Sequence, residues 1–347
     1  MMTKNAIGLV LIDAPHSALN NAGADVSERT ENKIAVKVIR RGRDSYPYVS
    51  SQAWRRWWRD TLQEKFGWPM SPITREKKIA FTSANPFIYP DDDVFGYMRA
   101  QGASEGGTLT RLSPLKNSPL VSVTPQQIVD DFGSMTRQED NPVLHEHQFY
   151  STILKGIFAL ELSAVGVFQS SARTGFKNLD EAYIKKPIMQ EAIKSSNATE
   201  RENNRLSQKG KDWVLPQPER AKRAKETLAA LPFLSGGAKQ ALHHTDVTPK
   251  FVMLAVIAGG NNLFMNIATQ DEKKLINTTA LKQVIVDYAD VILSDIFIGR
   301  LEGFQDSLQA DLEALQAELA GTKRIHLHSP KRAVEEFAGK LEDYMNS

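Results

Sequence analysis

"KIAVKVIRRGRDSYPYVSSQAWRRWWRDTLQEKF" (residues 33–66) holds a strand, a break and a helix in succession. Ile34, Val36 and Val38 alternate with Lys33 and Lys37, the period-two pattern of a half-exposed strand. Pro47 breaks the regularity, and Ser50 or Ser51 is placed to cap the helix that follows. In that helix Trp54, Trp57, Trp58, Leu62 and Phe66 recur at three- and four-residue spacing, so they line one face. Tryptophans at helical spacing are the ordinary pattern of a core face. Arg55, Arg56 and Arg59 project from the flank of the same helix.

Outward from this segment, AIGLVLI (residues 6–12) reads as a buried strand, and residues 78–83 as another. Residues 84–120 are rich in Gly, Pro, Ser and Asp with little periodicity, the mark of an irregular insertion. The polar, turn-rich DDFGSMTRQEDNPVLHEHQF precedes a long strand-like run at 149–162 and predicts a protruding hairpin. Residues 190–215 read as polar and mobile. A basic-sided helix is expected at 218–231, then a glycine-led loop, SGGAKQALHHTDVTP. FVMLAVIA, LFMNI and DIFIG read as strands, and TALKQVIVDYADVIL as a helix between the last two. Phe304, Leu308, Leu312, Leu315 and Leu319 make a helical seam, and Ser329-Pro330 opens a final helix with Val334, Phe337, Leu341 and Tyr344 inward. Strand, helix, strand, a large insertion, then strand, helix, strand is the split β-α-β order of an α+β, ferredoxin-like sheet. Several α+β folds share that order.

The chain has 347 residues, enough for one large domain with insertions or for two, and 41% of them are hydrophobic, enough to bury a real core. It contains no cysteine, which excludes disulfides, thiolate metal sites and cysteine nucleophiles. The first apolar run is too short to span a membrane, so a cytoplasmic protein without a membrane partner is expected. Charge is unevenly placed. Residues 1–80 hold fourteen Lys and Arg against eight Asp and Glu, and residues 287–347 hold six against twelve. A basic front and an acidic tail suit a polyanion contact and a protein contact, and one copy's tail could meet another's front.

No nucleophile–base pair and no phosphate-binding glycine loop can be read, so no catalytic residue is expected. His145-Glu146-His147 and His326-Leu327-His328 invite a metal reading, but histidines two apart share a side only on a strand and diverge on a helix, and the helical zinc motif needs four-residue spacing and a third ligand, so no metal or other cofactor is assigned. Asp91-Asp92-Asp93 in a Pro-rich loop reads as a solvated acidic run. The basic stretch is the stronger signal: residues 40–60 carry six arginines against two acids. Guanidinium groups make forked hydrogen bonds to phosphate, and a helix start at Ser50-Ser51-Gln52 adds unpaired N–H groups and a positive dipole end. Arg40, Arg41, Arg43, the cap and the flank Arg55, Arg56 and Arg59 could converge on one nucleic-acid backbone. The residues alone leave open a solvated helix flank.

"LVLIDAPHSALNNAG", "IRRGRDSYPYVSSQAWRRWWRDTL", "DDDVFGYM", "RLSPLKNSPLVSV", "HEHQFYSTILKGIFALEL" and "GGAKQALHHTDVTP" together resemble the DevR-type (Cst-type) backbone subunit of type I-B CRISPR surveillance complexes, the Cas-seven branch of the RAMP superfamily. The likeness spans roughly residues 6–300 and leaves out the tail. It implies an RNA-recognition-motif palm (1–83 and 148–303), a finger insertion (84–129), a thumb β-hairpin (130–147) and a C-terminal helical tail (304–347). It further implies that copies line up as a filament on one CRISPR guide RNA, present it to target DNA and meet the capping and large subunits of Cascade. In that arrangement Met135 becomes a thumb wedge, Arg137 a phosphate contact, and Asn20, Asn21 and Lys239 line the guide channel. Removing Arg55 or Arg59 is expected to weaken guide binding whatever the spacer. The backbone of this branch is not a nuclease. The alternatives are a type III-like subunit cutting target RNA with Asp25, or a general single-stranded RNA-binding protein.

Overall fold

The apolar run at 6–12 forms the middle of strand β1 (Lys4–Ser17), inside a twelve-stranded mixed sheet. The structure is a computed structural model that describes residues 2–25, 33–76, 79–100, 108–136, 143–170, 177–203, 210–271 and 274–346. The other strands of the sheet are β2 (Asn21–Asp25), β3 (Lys33–Val36), β4 (Val38–Arg41), β5 (Asp44–Val49), β6 (Leu115–Asn117), β7 (Leu120–Ser122), β8 (Val129–Met135), β9 (Val143–Glu161), β10 (Phe251–Ala258), β11 (Ile296–Arg300) and β12 (Ile325–His328). Its main path runs β12-β11-β10-β1-β9-β7-β5-β4, antiparallel throughout except between β11 and β12.

A strand buried on both faces needs apolar side chains at every position, which explains the unbroken run. Val10 and Ile12 of β1 enter one core, with helices α1 (Ser51–Phe66), α3 (Gln217–Ala229) and α6 (Pro330–Gly339). Ile7, Leu9 and Leu11 enter the other, with α4 (Thr278–Asp287) and α5 (Leu308–Leu319). Trp54 and Trp58 are fully buried, and Trp58 Nε1 donates to Thr227 O at 2.6 Å. Trp54 packs where only glycine fits: a Cβ on Gly156 of β9 would come within 2.8 Å of its ring. Burying each such side chain stabilises the fold by roughly 1.5–3 kcal/mol. The tryptophans are core, as their spacing predicts.

Several local expectations change. KIAVKVIR divides at Lys37 into β3 and β4, and Pro47 sits inside β5, a strand the proline had hidden. Pro47 faces Val38, and the neighbouring bond is made by Tyr48 N to Lys37 O (3.0 Å), so its missing N–H breaks no bond to β4. LFMNI is a turn: Asn262 Nδ2 donates to Gly8 O and Phe158 O, while Phe264 N donates to Asn262 Oδ1. Residues 190–215 hold structure: strands Thr199–Asn203 and Gly210–Val214 pair beside Val167–Gln169. The tail is part of the fold, since β12 joins the sheet and α5 and α6 fill opposite cores.

Asp91, Asp92 and Asp93 lie in the short helix α2 (Pro90–Phe95) and are buried, correcting the solvated reading. Asp93 binds Arg111 and Arg223 together, with Arg223 NH1 at 2.9 Å, and accepts from Gly166 N. Burial explains the trio: its charge is spent on two buried guanidiniums and on loop amides.

Candidate nucleic-acid interface

Four segments meet beyond the end of β1. Ala238 N donates to Leu19 O at 2.9 Å, tying the glycine-led loop to the strand end. Asn20 Oδ1 accepts from Ser50 N at 2.7 Å, and Asn20 O accepts from Lys37 N at 3.0 Å. The strand end therefore touches the start of α1, the β3–β4 junction and the loop that carries Lys239. The loop sits close because its glycines allow it: Gly236 has φ +143°, and a Cβ there would lie 2.3 Å from the Trp57 ring. Lys239, half-buried at φ 56°, starts the single turn Gln240–His243.

Ser50 caps α1, its Oγ accepting from Ala53 N at 3.3 Å. The amides of Ser51 and Gln52 find no acceptor among the described residues, and Gln52 is exposed. Asn21 pairs with Val36, and its buried Oδ1 has no hydrogen-bond partner among the described residues. Arg40 and Arg41 end β4, the edge strand, and Arg43 stands in the turn to β5. All three are exposed, and none makes an ion pair among the described residues; Arg41 lies 5.1 Å from the Tyr46 ring centroid.

The flank of α1 divides. Arg56 is exposed and, among the described residues, pairs only with Asp60, at 3.4 Å. Arg55 turns inward: NH1 donates to Leu115 O and Asn117 Oδ1, and NH2 to Phe95 O and Ser113 Oγ, all within 2.9 Å. Burial, with the Arg59 charge second, lowers its pKa to about 10. Both terminal nitrogens are spent, so Arg55 ties Phe95 to residues 113–117, which corrects its expected phosphate contact. Arg59 is half-buried over the Phe95 ring at 4.5 Å, facing the charge of Asp91. It too is turned to the fold and away from the cap.

The predicted hairpin is present: β8 pairs with β9 from Val129↔Phe149 to Met135↔Val143. Phe132, Met135, Val143 and Leu144 are exposed on it. Lys33 clamps its root to Glu146 at 2.7 Å and Asp130 at 3.1 Å. Arg137 lies outside the described residues, as does the side chain of Asp25.

Three contributors escaped the sequence reading. Lys37 touches the strand end through its backbone. Lys155, a single cation in an apolar strand, shares a groove with Arg41 and Tyr46. Burial, and secondly Arg41, lowers its pKa. His16, His147, Phe149 and His243 form a chain of rings 5.9–6.4 Å apart from the hairpin root to the glycine-led loop. Burial, then His147, lowers the His243 pKa. The signals in the sequence are the alternation in HEHQF and the adjacent His243-His244 of the glycine-led loop.

The model of the CRISPR-associated negative auto-regulator DevR/Csa2 family matches residues 14–280. The chain belongs to the DevR/Csa2 family. No curated protein matches the sequence significantly. Among solved structures it is similar to a chain of a CRISPR RNA-guided surveillance complex, at 12% identity and TM-score 0.52, covering 97% of this chain and 99% of that one. A pre-nicking CRISPR RNA-guided surveillance complex gives 12% identity and TM-score 0.55, over 96% and 99%. At that identity the likeness speaks for the fold: a mixed α+β chain built on a large mixed sheet. Among the described residues, no helix of this DevR/Csa2 member is long and apolar enough to cross a membrane.

Proposed function

We propose that this protein is a backbone subunit of a type I-B CRISPR surveillance complex, gripping guide RNA by its phosphates and riboses. The convergence of Asn20, Ser50, Gln52, Lys37 and the Lys239 loop carries the reading, and the exposed Arg40, Arg41 and Arg43 add cations at the other end of the β4–β5 pair. These groups suit a polymer held without regard to sequence, because cations, amides and side-chain amides bond phosphate and sugar and leave base edges free. Base pairing then selects target DNA, as in other RNA-guided systems. In this reading the large sheet is the palm, residues 84–129 are fingers, and the β8–β9 hairpin is a thumb whose Met135 wedges into the guide. Copies stack along the RNA in the cytoplasm, with capping and large subunits at the filament, and this subunit cuts nothing.

The test is the RNA that the protein holds. Expressed with a CRISPR array, it should copurify with RNA of one length bearing a repeat-derived handle. RNA of mixed length and origin would favour a general RNA-binding protein. Magnesium-dependent cleavage of a paired target RNA by the purified chain would favour the cutting alternative.

A further inference from the structure

The histidine pair of β12 acquires in three dimensions the third ligand that its sequence neighbourhood lacks. His326 and His328 share a face of the strand, and Ser329 caps α6 with Pro330 in its first turn. The helix returns Glu336 over that face. Ligand atoms of His326, His328 and Glu336 all lie within 4.8 Å of one another.

The imidazoles are preset. His326 stacks flat on Phe297, with centroids 4.4 Å apart and planes 2° apart, and its Nε2 lies 2.9 Å from Asp295 Oδ2. A proton on Nε2, donated to that carboxylate, leaves Nδ1 as a bare lone pair 3.5 Å from Glu336 Oε1. His328 Nε2 is shielded from solvent and lies 2.9 Å from Glu336 Oε2, yet it is out of alignment for a hydrogen bond. A nitrogen lone pair, a second imidazole nitrogen with no aligned hydrogen bond and a carboxylate facing one another suit a cation between them. Lys340 Nζ reaches Glu336 Oε1 only at 3.5 Å and also lies over the Phe297 ring.

We propose that His326 Nδ1, His328 Nε2 and a Glu336 oxygen bind one late first-row divalent cation such as Zn²⁺. Imidazole favours these metals over Mg²⁺ or Ca²⁺, and two histidines with one carboxylate are a recurrent ligand set. Ligands about 2.1 Å from a tetrahedral ion lie roughly 3.4 Å apart; His326 Nδ1 is 3.5 Å from Oε1 and His328 Nε2 2.9 Å from Oε2, so side-chain rotations that bring both nitrogens onto one Glu336 oxygen close the site. Asp295 is a positioning residue that fixes the tautomer and raises the basicity of His326. The bound ion fastens α6 to the edge of the sheet.

The test is calorimetric titration of the EDTA-dialysed full-length protein with ZnCl₂. One Zn²⁺ per chain is expected, with affinity lost in His328→Ala and in Glu336→Gln, which keeps shape and helix. Asp295→Asn should weaken binding by roughly 10–100-fold. A His145→Ala/His147→Ala double variant should bind like wild type. The proposal is overturned if wild type takes up no Zn²⁺ at micromolar concentrations, or if only the His145/His147 variant loses it. Zinc should raise the melting temperature of wild type and leave that of Glu336→Gln unmoved; equal rises in both would also refute it.

Discussion

Replacing Arg40, Arg41 and Arg43 together by alanine isolates the electrostatic part of the RNA grip. All three are exposed and free of ion pairs among the described residues, so the change breaks no buried bond; its main internal loss is the contact of Arg41 with Tyr46. Each phosphate contact on a single strand contributes about 0.7 to the slope of log affinity against log salt, so three contribute about 2.1. Between 50 and 200 mM salt, wild type should therefore lose about 18-fold more affinity than the variant. The assay is filter binding of a guide RNA across that range, repeated with an unrelated spacer. The deficit should be the same for both spacers, because phosphates carry no sequence. Arg55→Ala is the control: its four bonds serve the fold, so it should lower the urea midpoint and leave the salt slope of the folded protein alone. An unchanged slope in the triple variant, or a slope that falls in Arg55→Ala, would refute the assignment of these groups.

Three further outcomes follow from buried groups. Asp93→Asn leaves the guanidiniums of Arg111 and Arg223 without their shared carboxylate and should cost about 3–5 kcal/mol in chemical denaturation. Burial, with Asp92 second, raises the Asp91 pKa to about 6, so the folded state binds more protons than the unfolded one between the ordinary 3.8 and 6. Stability should thus fall as pH rises through that window, and Asp91→Asn should gain on wild type by up to roughly 3 kcal/mol from pH 4 to 7, read from paired urea melts. Gly236→Ala forces a Cβ into the Trp57 ring at a positive φ, so it should displace the Lys239 loop and weaken guide binding beyond the loss seen in Lys239→Ala.

What could be read in advance was periodic. The tryptophan face of α1, the Ser50 cap, the long β9 and the leucine seam of α5 follow from spacing, because one buried face imposes one period. What could not be read depended on partners distant in sequence. Asp93 looks solvated until Arg111 and Arg223 arrive from 18 and 130 residues away. Arg55 looks like an exposed flank until Phe95, Ser113, Leu115 and Asn117 supply its acceptors. Four residues of IHLH are too few to announce a strand, and Pro47 concealed β5 because its harmlessness depends on pairing. Asn20 and Lys239 entered through family resemblance; the hydrogen bonds that place their segments side by side are the structure's addition.

The tail also decides how assembly can be tested. Deleting residues 304–347 would remove Leu308, Leu312, Leu315 and Leu319 from one core and Val334, Phe337 and Leu341 from the other. At roughly 1.5–3 kcal/mol per buried side chain, that loss equals or exceeds the stability of a typical domain, so a failure to assemble would report unfolding. The deletion would also strip β12 from β11 and leave a raw sheet edge. Charge reversal separates the two effects. Glu302, Glu313 and Glu342 are exposed, and changing all three to lysine spares both cores. If the acidic tail of one copy attracts the basic front of the next, the variant should bind a one-subunit RNA as wild type does. It should then lose the extra affinity that wild type gains on RNA long enough for several copies, and lose it most at low salt. Equal gains in both proteins would place the contact between copies on other surfaces and leave the asymmetry of charge with no part in assembly.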